Sequence, residues 1–181
     1  MNKLNDVLDF WFSDDVRAKW WLKSDAFDAE ITAKFSALHS EILSNDISTY
    51  LLSACDALAA IIVLDQFSRN MFRDTPMSFA SDALCLNMAK QAIDKGFDKE
   101  LSDEQVALMY MPFMHSENLV DHEIALKLFA SREALQYNLN FEKQHKVIID
   151  QFGRYPHRNA ILGRVSTTEE LEFLKQPGSS F

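Results

Sequence analysis

The chain has 181 residues, 48% of them hydrophobic and 25% charged, which is ordinary usage for a globular protein and argues against a disordered or low-complexity chain. Its 18 Lys and Arg against 27 Asp and Glu give a net charge of −9, which argues against a general nucleic-acid binder because the phosphates would be repelled. Only 4 glycines and 4 prolines leave little turn chemistry for a many-stranded sheet, so the composition predicts an all-α protein.

The first elements are predicted from apolar residues at helical spacing. Residues 4–11 carry such a pattern, and a longer apolar stripe over residues 27–42 follows Ser24, a favourable N-cap. Because His39 lies beside that stripe with no obvious carboxylate partner, we expect it to have a surface or structural role.

Capping residues and helix breakers mark the remaining elements. Further N-caps are predicted at Ser53, Thr75, Ser102, Ser116, Asn140 and Ser166. Helix ends or kinks are predicted at Gly96, Pro112 and Gly153. The run 57–64 is apolar nearly all round, which predicts a buried central helix that ends at Asp65. The pattern predicts about seven antiparallel helices packed as a helical array in a single domain over residues 1–181.

The two cysteines and the N-terminus bear on location and on metal binding. Cys55 and Cys85 lie in apolar helical patterns without metal-ligand spacing, which predicts core packing for both. The N-terminal apolar run is too short and too interrupted for a signal peptide, so we predict a cytoplasmic protein that does not associate with membranes.

Three irregular stretches, over residues 65–74, 112–117 and 153–164, interrupt the helical pattern. Five of the seven arginines lie in these stretches, and residues 151–168 include no acidic residue. Arginine presents a planar fork of donors that suits carboxylate and phosphate. The stretches therefore predict an anion pocket. Its predicted ligand-binding residues are Asp65, Arg69, Asn70, Arg73, Arg154, Arg158, Asn159 and Arg164.

Two histidines and a glutamate are the candidate catalytic residues of that pocket. His115 or His157 would transfer a proton near neutral pH, and Glu117 would orient a histidine or an arginine. The competing interpretation is structural, because Asp65, Glu117 and Asp150 would equally pair with the arginines and tie the loops to the helices.

The chain resembles a known family in four strings: VLDFWF, LDQFSRNMFR, YMPFMHSENL and FGRYPHRNAILGRVSTTEELEFL. These strings are similar to the bacterial family catalogued as domain of unknown function 924, over residues 7–181. The resemblance implies an all-helical fold similar to tetratricopeptide-like superhelices, and it implies no established activity. In this resemblance His122 stands where a glutamine is expected.

Other chemistries have weaker signals. His115, Glu117, Asp121 and His122 do not follow the two-histidine spacing of a zincin helix, so no metal site is predicted. Nucleophile elbows and glycine-rich phosphate loops do not occur, and no cofactor is predicted.

Two functions from different classes follow. The first is a pocket for a small anionic molecule, used by a hydrolase or transferase on a phosphorylated or carboxylated metabolite. The alternative is a tetratricopeptide-like scaffold that binds an acidic peptide or a protein partner, in which the arginines and histidines are purely structural. The sequence does not decide whether the chain is an enzyme, and it does not indicate an oligomeric state.

Both functions share two structural expectations. The three irregular segments should meet in space, because charged stretches between buried helices are stable when they satisfy one another. Asp65 should be buried and bonded to an arginine or to backbone amides.

Overall fold

The computed structural model describes residues 3–180, which form helices and loops without a β-strand. The all-α prediction is confirmed. The α-helices are α1 (Lys3–Trp11), α2 (Asp14–Arg17), α3 (Asp25–Ser44), α4 (Ala54–Ile62), α5 (Ser68–Met71), α6 (Asp82–Asp94), α7 (Asp103–Met114), α8 (Leu119–Ala130), α9 (Gln136–Phe152) and α10 (Thr168–Phe173). Short 3-10 turns lie at Ile47–Tyr50, Pro76–Phe79, Phe97–Lys99, Glu133–Leu135 and Pro156–Arg158.

The chain divides into two compact units, described here separately. The first unit comprises Met1–Arg73 and Met77–Pro112, and the second comprises Asp74–Pro76 and Phe113–Phe181. The boundary falls within α7, at a proline inside that helix.

The first unit is built around α4, whose residues 57–62 are completely buried. Helices α1 and α6 both pack against it. The N-cap prediction at Ser53 is confirmed, since its side chain accepts a hydrogen bond from the Asp56 N–H. The Ser24 prediction is confirmed in the same way at the start of α3.

The central helix does not end at Asp65, contrary to the prediction. It passes through a π-helical turn at Val63–Phe67 and continues as α5. Because a π turn bonds to the fifth residue along the chain, it changes which backbone carbonyls are available. The Leu64 carbonyl accepts the Ser81 hydroxyl at 2.7 Å. The stretch 65–74, predicted to be irregular, is therefore helical as far as Met71, with a π bulge at its start.

The second unit contains α8 and α9, which pack against one another. The side chains of Ile148, Ile149 and Tyr155 form a buried cluster, with Phe152 and Phe173 packed against it. Helix α9 ends at Gly153, which adopts the left-handed conformation with φ of 67°, as predicted for a C-terminal glycine.

Several predicted helix starts are wrong. Ser116 does not cap α8, because its hydroxyl is bonded to the Asp121 carboxylate at 2.7 Å, and Asn118 caps the helix instead. Asn140 lies inside α9, which begins four residues earlier at Gln136.

Two further caps are displaced from their predicted positions. Thr75 precedes a 3-10 turn, and α6 itself begins after Ser81. The last capping box uses Thr167 with Glu170 instead of Ser166. Neighbouring Ser and Thr residues compete for the same cap, and the sequence pattern does not rank them.

The cysteine prediction holds for one residue and fails for the other. Cys85 is completely buried, whereas Cys55 is exposed near the start of α4. One side of the first turn of α4 therefore faces solvent.

Candidate functional site

In the first unit, the two arginines of the predicted site form ion pairs with carboxylates. Asp65 is 1% exposed and lies 3.0 Å from Arg69 Nη1, which confirms the prediction that it is buried and bonded to an arginine. Both terminal nitrogens of Arg69 donate to Asp82, each at 3.1 Å. One guanidinium is therefore shared by two carboxylates.

A second network ties α5 to α3 through Asp28. Arg73 donates to both oxygens of Asp28, at 2.6 and 2.9 Å, and Asn70 donates to it at 2.8 Å. Burial acts to raise the pKa of Asp28, but the hydrogen bonds from Arg73 and Asn70 outweigh it and lower the pKa below its ordinary value. Asn70 and Arg73 thus hold an internal carboxylate.

His39 belongs to a closed hydrogen-bond chain in the same unit. Its Nε2 lies 2.8 Å from Ser68 Oγ, and Ser68 Oγ lies 3.0 Å from Ser81 Oγ. Since Ser81 donates to the Leu64 carbonyl, all three bonds form only if Ser68 donates to Ser81 and His39 donates to Ser68. The imidazole does not accept the serine proton, so this arrangement is structural and does not activate a nucleophile.

The second unit holds three consecutive carbonyls at the end of α7. Met114 O accepts from the Tyr155 hydroxyl at 2.5 Å and His115 O accepts from Arg158 Nη2 at 3.0 Å. Ser116 O lies 2.8 Å from His122 Nε2. Three side chains from elsewhere in the unit therefore fix the backbone that carries His115.

Glu117 continues this arrangement. Its carboxylate accepts two hydrogen bonds from Arg164, at 2.6 and 3.0 Å, and one from the Tyr155 N–H at 2.8 Å. Burial acts to raise the pKa of Glu117, but these hydrogen bonds, with the charges of Arg158 and Arg164, lower it below its ordinary value. Glu117 is thus ion-paired with Arg164 and also feels the positive charge of Arg158.

These contacts test part of the expectation that three segments meet. The 112–117 and 153–164 segments contact one another within the second unit. The contacts described for Asp65, Arg69, Asn70 and Arg73 lie within the first unit. A meeting of all three segments therefore stays a prediction.

Tyr155 is surrounded by imidazole rings. Its ring centroid lies 6.3 Å from that of His122, 5.8 Å from that of His145 and 5.5 Å from that of His157. The guanidinium carbon of Arg158 lies 4.6 Å from the same centroid, within the range of a cation–π contact.

The fourth imidazole is that of His115. Burial, together with the charges of His115, His122 and His157, lowers the pKa of His145 to about 3, against the opposing effect of its hydrogen bond to Phe141 O. His145 is therefore neutral at physiological pH. We refer to His115, His122, His145, Tyr155 and His157 as the histidine cluster.

Exposure separates the members of this cluster into two groups. His122 is completely buried and His145 is 6% exposed, whereas His115 and His157 are half-buried. Glu117 is also half-buried. The three predicted catalytic residues, His115, Glu117 and His157, are therefore all partly exposed to solvent.

His122 has a buried partner that the sequence analysis missed. Its Nδ1 lies 2.8 Å from Glu142 Oε1, and both side chains are 0% exposed. A signal existed in the sequence, because Glu142 and His145 occupy the helical positions between Leu139 and Ile149 on the buried side of α9. Charged residues at apolar positions of a helix point to a buried polar network.

Arg154 and Asn159 both bond to another carboxylate of the second unit, that of Glu170. Arg154 donates to Glu170 at 2.6 and 2.8 Å, and Asn159 donates to the same carboxylate at 3.1 Å. The Arg154 hydrogen bonds, followed by those of Thr167 and Asn159, lower the pKa of Glu170 to about 2 despite its burial. An open depression of about 470 Å³ is lined by Gln151, Phe152, Arg154, Thr167, Glu169 and Glu170.

Two further properties of the described residues concern metal binding and membrane insertion. Over residues 3–180, no group of three or more His, Cys, Asp or Glu side chains is arranged to hold a metal ion. Within the same range no helix has both the length and the apolar character needed to cross a bilayer.

Fold and site together define an all-α protein with a buried histidine cluster. The family model described as "Bacterial protein of unknown function (DUF924)" matches residues 7–178. A solved structure of a protein of unknown function from Agrobacterium tumefaciens is 34% identical, with a TM-score of 0.88, covering 95% of this chain and 96% of that one. No protein of curated function matches. The chain belongs to the DUF924 family.

Proposed function

We propose that the chain binds a small anionic molecule, carrying a phosphate or a carboxylate, at the half-buried edge of the histidine cluster. The proposal rests on one observation: the Arg158 guanidinium donates to the His115 carbonyl and lies 4.6 Å from the Tyr155 ring, which contacts the His157 ring, so a guanidinium lies beside two half-buried imidazoles. A guanidinium beside two imidazoles favours an anionic ligand.

The proposal uses fewer residues than the sequence predicted. Arg69 and Arg73 hold internal carboxylates, and so does Arg154. A bound anion would have to displace those carboxylates, so the contacts support a structural role for these three arginines. Arg164 is likewise bonded to the Glu117 carboxylate. Arg158, which donates to the His115 carbonyl beside the half-buried imidazoles, is therefore the proposed ligand-binding arginine.

The chemistry of the ligand follows from the donors. Guanidinium groups bind phosphate and carboxylate through paired N–H donors, and a half-buried imidazole transfers a proton near neutral pH. A hydrolase or transferase acting on a phosphorylated or carboxylated metabolite would use these groups, with His115 or His157 moving the proton. A cytoplasmic location belongs to the same proposal, because both cysteines are free thiols.

Calorimetric titration of the full chain with inorganic phosphate, pyrophosphate and citrate tests this proposal. Arg158→Lys keeps the charge but loses the planar fork, so we expect at least one of the anions to bind about tenfold more weakly or worse, equivalent to about 1–3 kcal/mol. Arg17→Lys is the matched control, since Arg17 lies in the first unit and pairs with Glu104; its affinity should equal that of the wild type.

Two results would overturn the proposal. One is that none of the three anions binds the wild type, and the other is that Arg158→Lys binds them as tightly as the wild type does. Binding of a poly-glutamate peptide, with none of the small anions bound, would favour the scaffold that binds an acidic peptide.

A further inference from the structure

We propose that His122 and Glu142 share one buried proton, and that this proton secures the backbone segment 114–117. The inference rests on the proposed function only in so far as the segment carries His115 and Glu117. His122 and Glu142 are then positioning residues, because they act on those two groups through the backbone.

The hydrogen-bond directions require the shared proton. A carbonyl oxygen only accepts, so His122 Nε2 must carry a hydrogen to bond Ser116 O at 2.8 Å. In a neutral imidazole that leaves a lone pair on Nδ1, which faces Glu142 Oε1 at 2.8 Å. A hydrogen bond exists there only if Glu142 is a carboxylic acid or His122 is an imidazolium.

The opposite tautomer does not remove this requirement. With its hydrogen on Nδ1, His122 would turn the Nε2 lone pair toward Ser116 O. The nearest alternative donor, the Tyr155 hydroxyl, is 3.4 Å from Nε2 and already donates to Met114 O. Two acceptors at 2.8 Å would then repel one another. A carboxylate beside a neutral imidazole therefore does not fit this geometry.

The burial of His122 and Glu142 favours retention of the shared proton. Both side chains are 0% exposed, and Glu142 Oε2 is a buried atom without a hydrogen-bond partner. Burial raises the pKa of Glu142, against the opposing effects of His122 and Lys146. The titratable and charged groups beside the pair, or beside its neighbours Ser116, His145 and Tyr155, come from α8, α9, the end of α7 and the loop after α9: Asp121, His145, Lys146, His115, Tyr155, His157 and Arg158.

Loss of the proton would affect one of the three carbonyl contacts. Tyr155 and Arg158 hold Met114 O and His115 O through an ordinary hydroxyl and an ordinary guanidinium N–H. The bond to Ser116 O alone depends on a side chain that shares a proton. When that proton leaves, the lone pairs of His122 Nδ1 and Glu142 Oε1 face one another, and His122 must move away from Ser116.

Nuclear magnetic resonance of the ligand-free full chain tests the inference directly. Near pH 7 we expect either a protonated Glu142 carboxyl carbon signal or two protonated nitrogens on His122. An ionised Glu142 beside a neutral His122 at that pH would overturn the inference, and this result needs no variant.

The Glu142→Gln variant tests the positioning role. Its amide N–H donates to His122 Nδ1 without a shared proton, so the segment should stay in place at any pH. As the pH is raised from 7 until the shared proton leaves, which the Glu142 and His122 signals report, we expect the backbone amide signals of residues 115–118 to shift in the wild type and to remain unchanged in Glu142→Gln. Identical pH profiles for the two proteins would contradict the role. Glu133→Gln, exposed in the 3-10 turn after α8, controls for the loss of one carboxylate and should keep the wild-type profile.

Phosphate affinity over the same pH range separates this inference from the proposed function. We expect affinity to fall by a limited factor, about tenfold, once the shared proton leaves in the wild type but not in Glu142→Gln. If phosphate, pyrophosphate and citrate all fail to bind while the shared proton is observed, the proposed function fails and the inference stands. If an anion binds with the same pH profile in both proteins, the pair does not position the site.

Discussion

Each compact unit contains a network of buried polar side chains, and the arginines of the two networks bond to different sets of acceptors. In the first unit Arg69 and Arg73 pair with three carboxylates, those of Asp28, Asp65 and Asp82. In the second unit Arg158 donates to the His115 carbonyl, and Arg164 donates to both the Glu117 carboxylate and the Tyr155 carbonyl.

The two networks also differ in how far their hydrogen bonds are satisfied. The chain from His39 through two serines to the Leu64 carbonyl uses each donor once. In the second unit, Glu142 Oε2 and Asn159 Oδ1 are buried atoms without hydrogen-bond partners, and Trp11 Nε1 is such an atom in the first unit, outside the chain from His39. Buried polar atoms without partners cost stability, whereas a closed network does not carry that cost.

The largest expected effect concerns the closed network. Asp65→Ala leaves Arg69 partly buried and removes one of its two carboxylates, so unfolding free energy should fall by about 3 kcal/mol or more. Urea denaturation monitored by circular dichroism measures the change. Asp14→Ala is the control, because that side chain is 99% exposed, and its stability should change by about 0.5 kcal/mol at most. An unchanged midpoint in Asp65→Ala would show that Asp65 does not stabilise the first unit.

Glu170 should give a smaller, pH-dependent effect. Its folded pKa is about 2, below the ordinary value of 4.5, so its contribution is complete above pH 4.5 and is lost as the pH falls toward 2. At pH 7 we expect Glu170→Gln to be about 2 kcal/mol less stable than the wild type. The difference should shrink to almost nothing near pH 2. A constant difference over this range would mean that the charge of Glu170 does not contribute, and Glu169→Gln should match the wild type throughout.

The smallest effect on stability comes from the two cysteines. Cys85 is buried, and burial raises the pKa of its thiol well above the ordinary value, whereas Cys55 is exposed. A maleimide reagent at neutral pH should modify Cys55 within minutes and Cys85 only when the first unit opens. Cys55→Ser should leave the denaturation midpoint unchanged and remove the fast phase. Fast modification of Cys85 would show that the first network is not closed.

Much of the fold was predictable because helix caps and apolar periodicity are local signals. The N-caps at Ser24 and Ser53 and the left-handed Gly153 need only a few neighbouring residues to be recognised. The path beyond Asp65 was not predictable in this way. Whether the chain leaves a helix or continues through a π turn depends on tertiary contacts such as that from Ser81 to Leu64 O.

The sequence predicted which residues belong to the candidate site, but it did not predict which arginine pairs with which carboxylate. The clustering of arginines identified the irregular segments, yet no spacing in the sequence assigns Arg154 to Glu170 or Arg164 to Glu117, which are 16 and 47 residues apart. His122 and Glu142 were missed because their partnership joins two helices. Ion pairs between distant segments are decided by packing, so a sequence shows the candidates and the structure shows the partners.

The five histidines provide the most direct test of functional difference between the two networks. Titration of the full chain with pyrophosphate, followed through the imidazole Cε1–H signals, should shift His115 and His157 at sub-stoichiometric to stoichiometric additions. His39 is the internal control, because it is buried and bonded to Ser68 in the first unit, and its signal should not move. Shifts confined to His115, His157 and their neighbours would support an anion site in the histidine cluster. Unmoved signals for both residues, or an equal shift of His39, would contradict it.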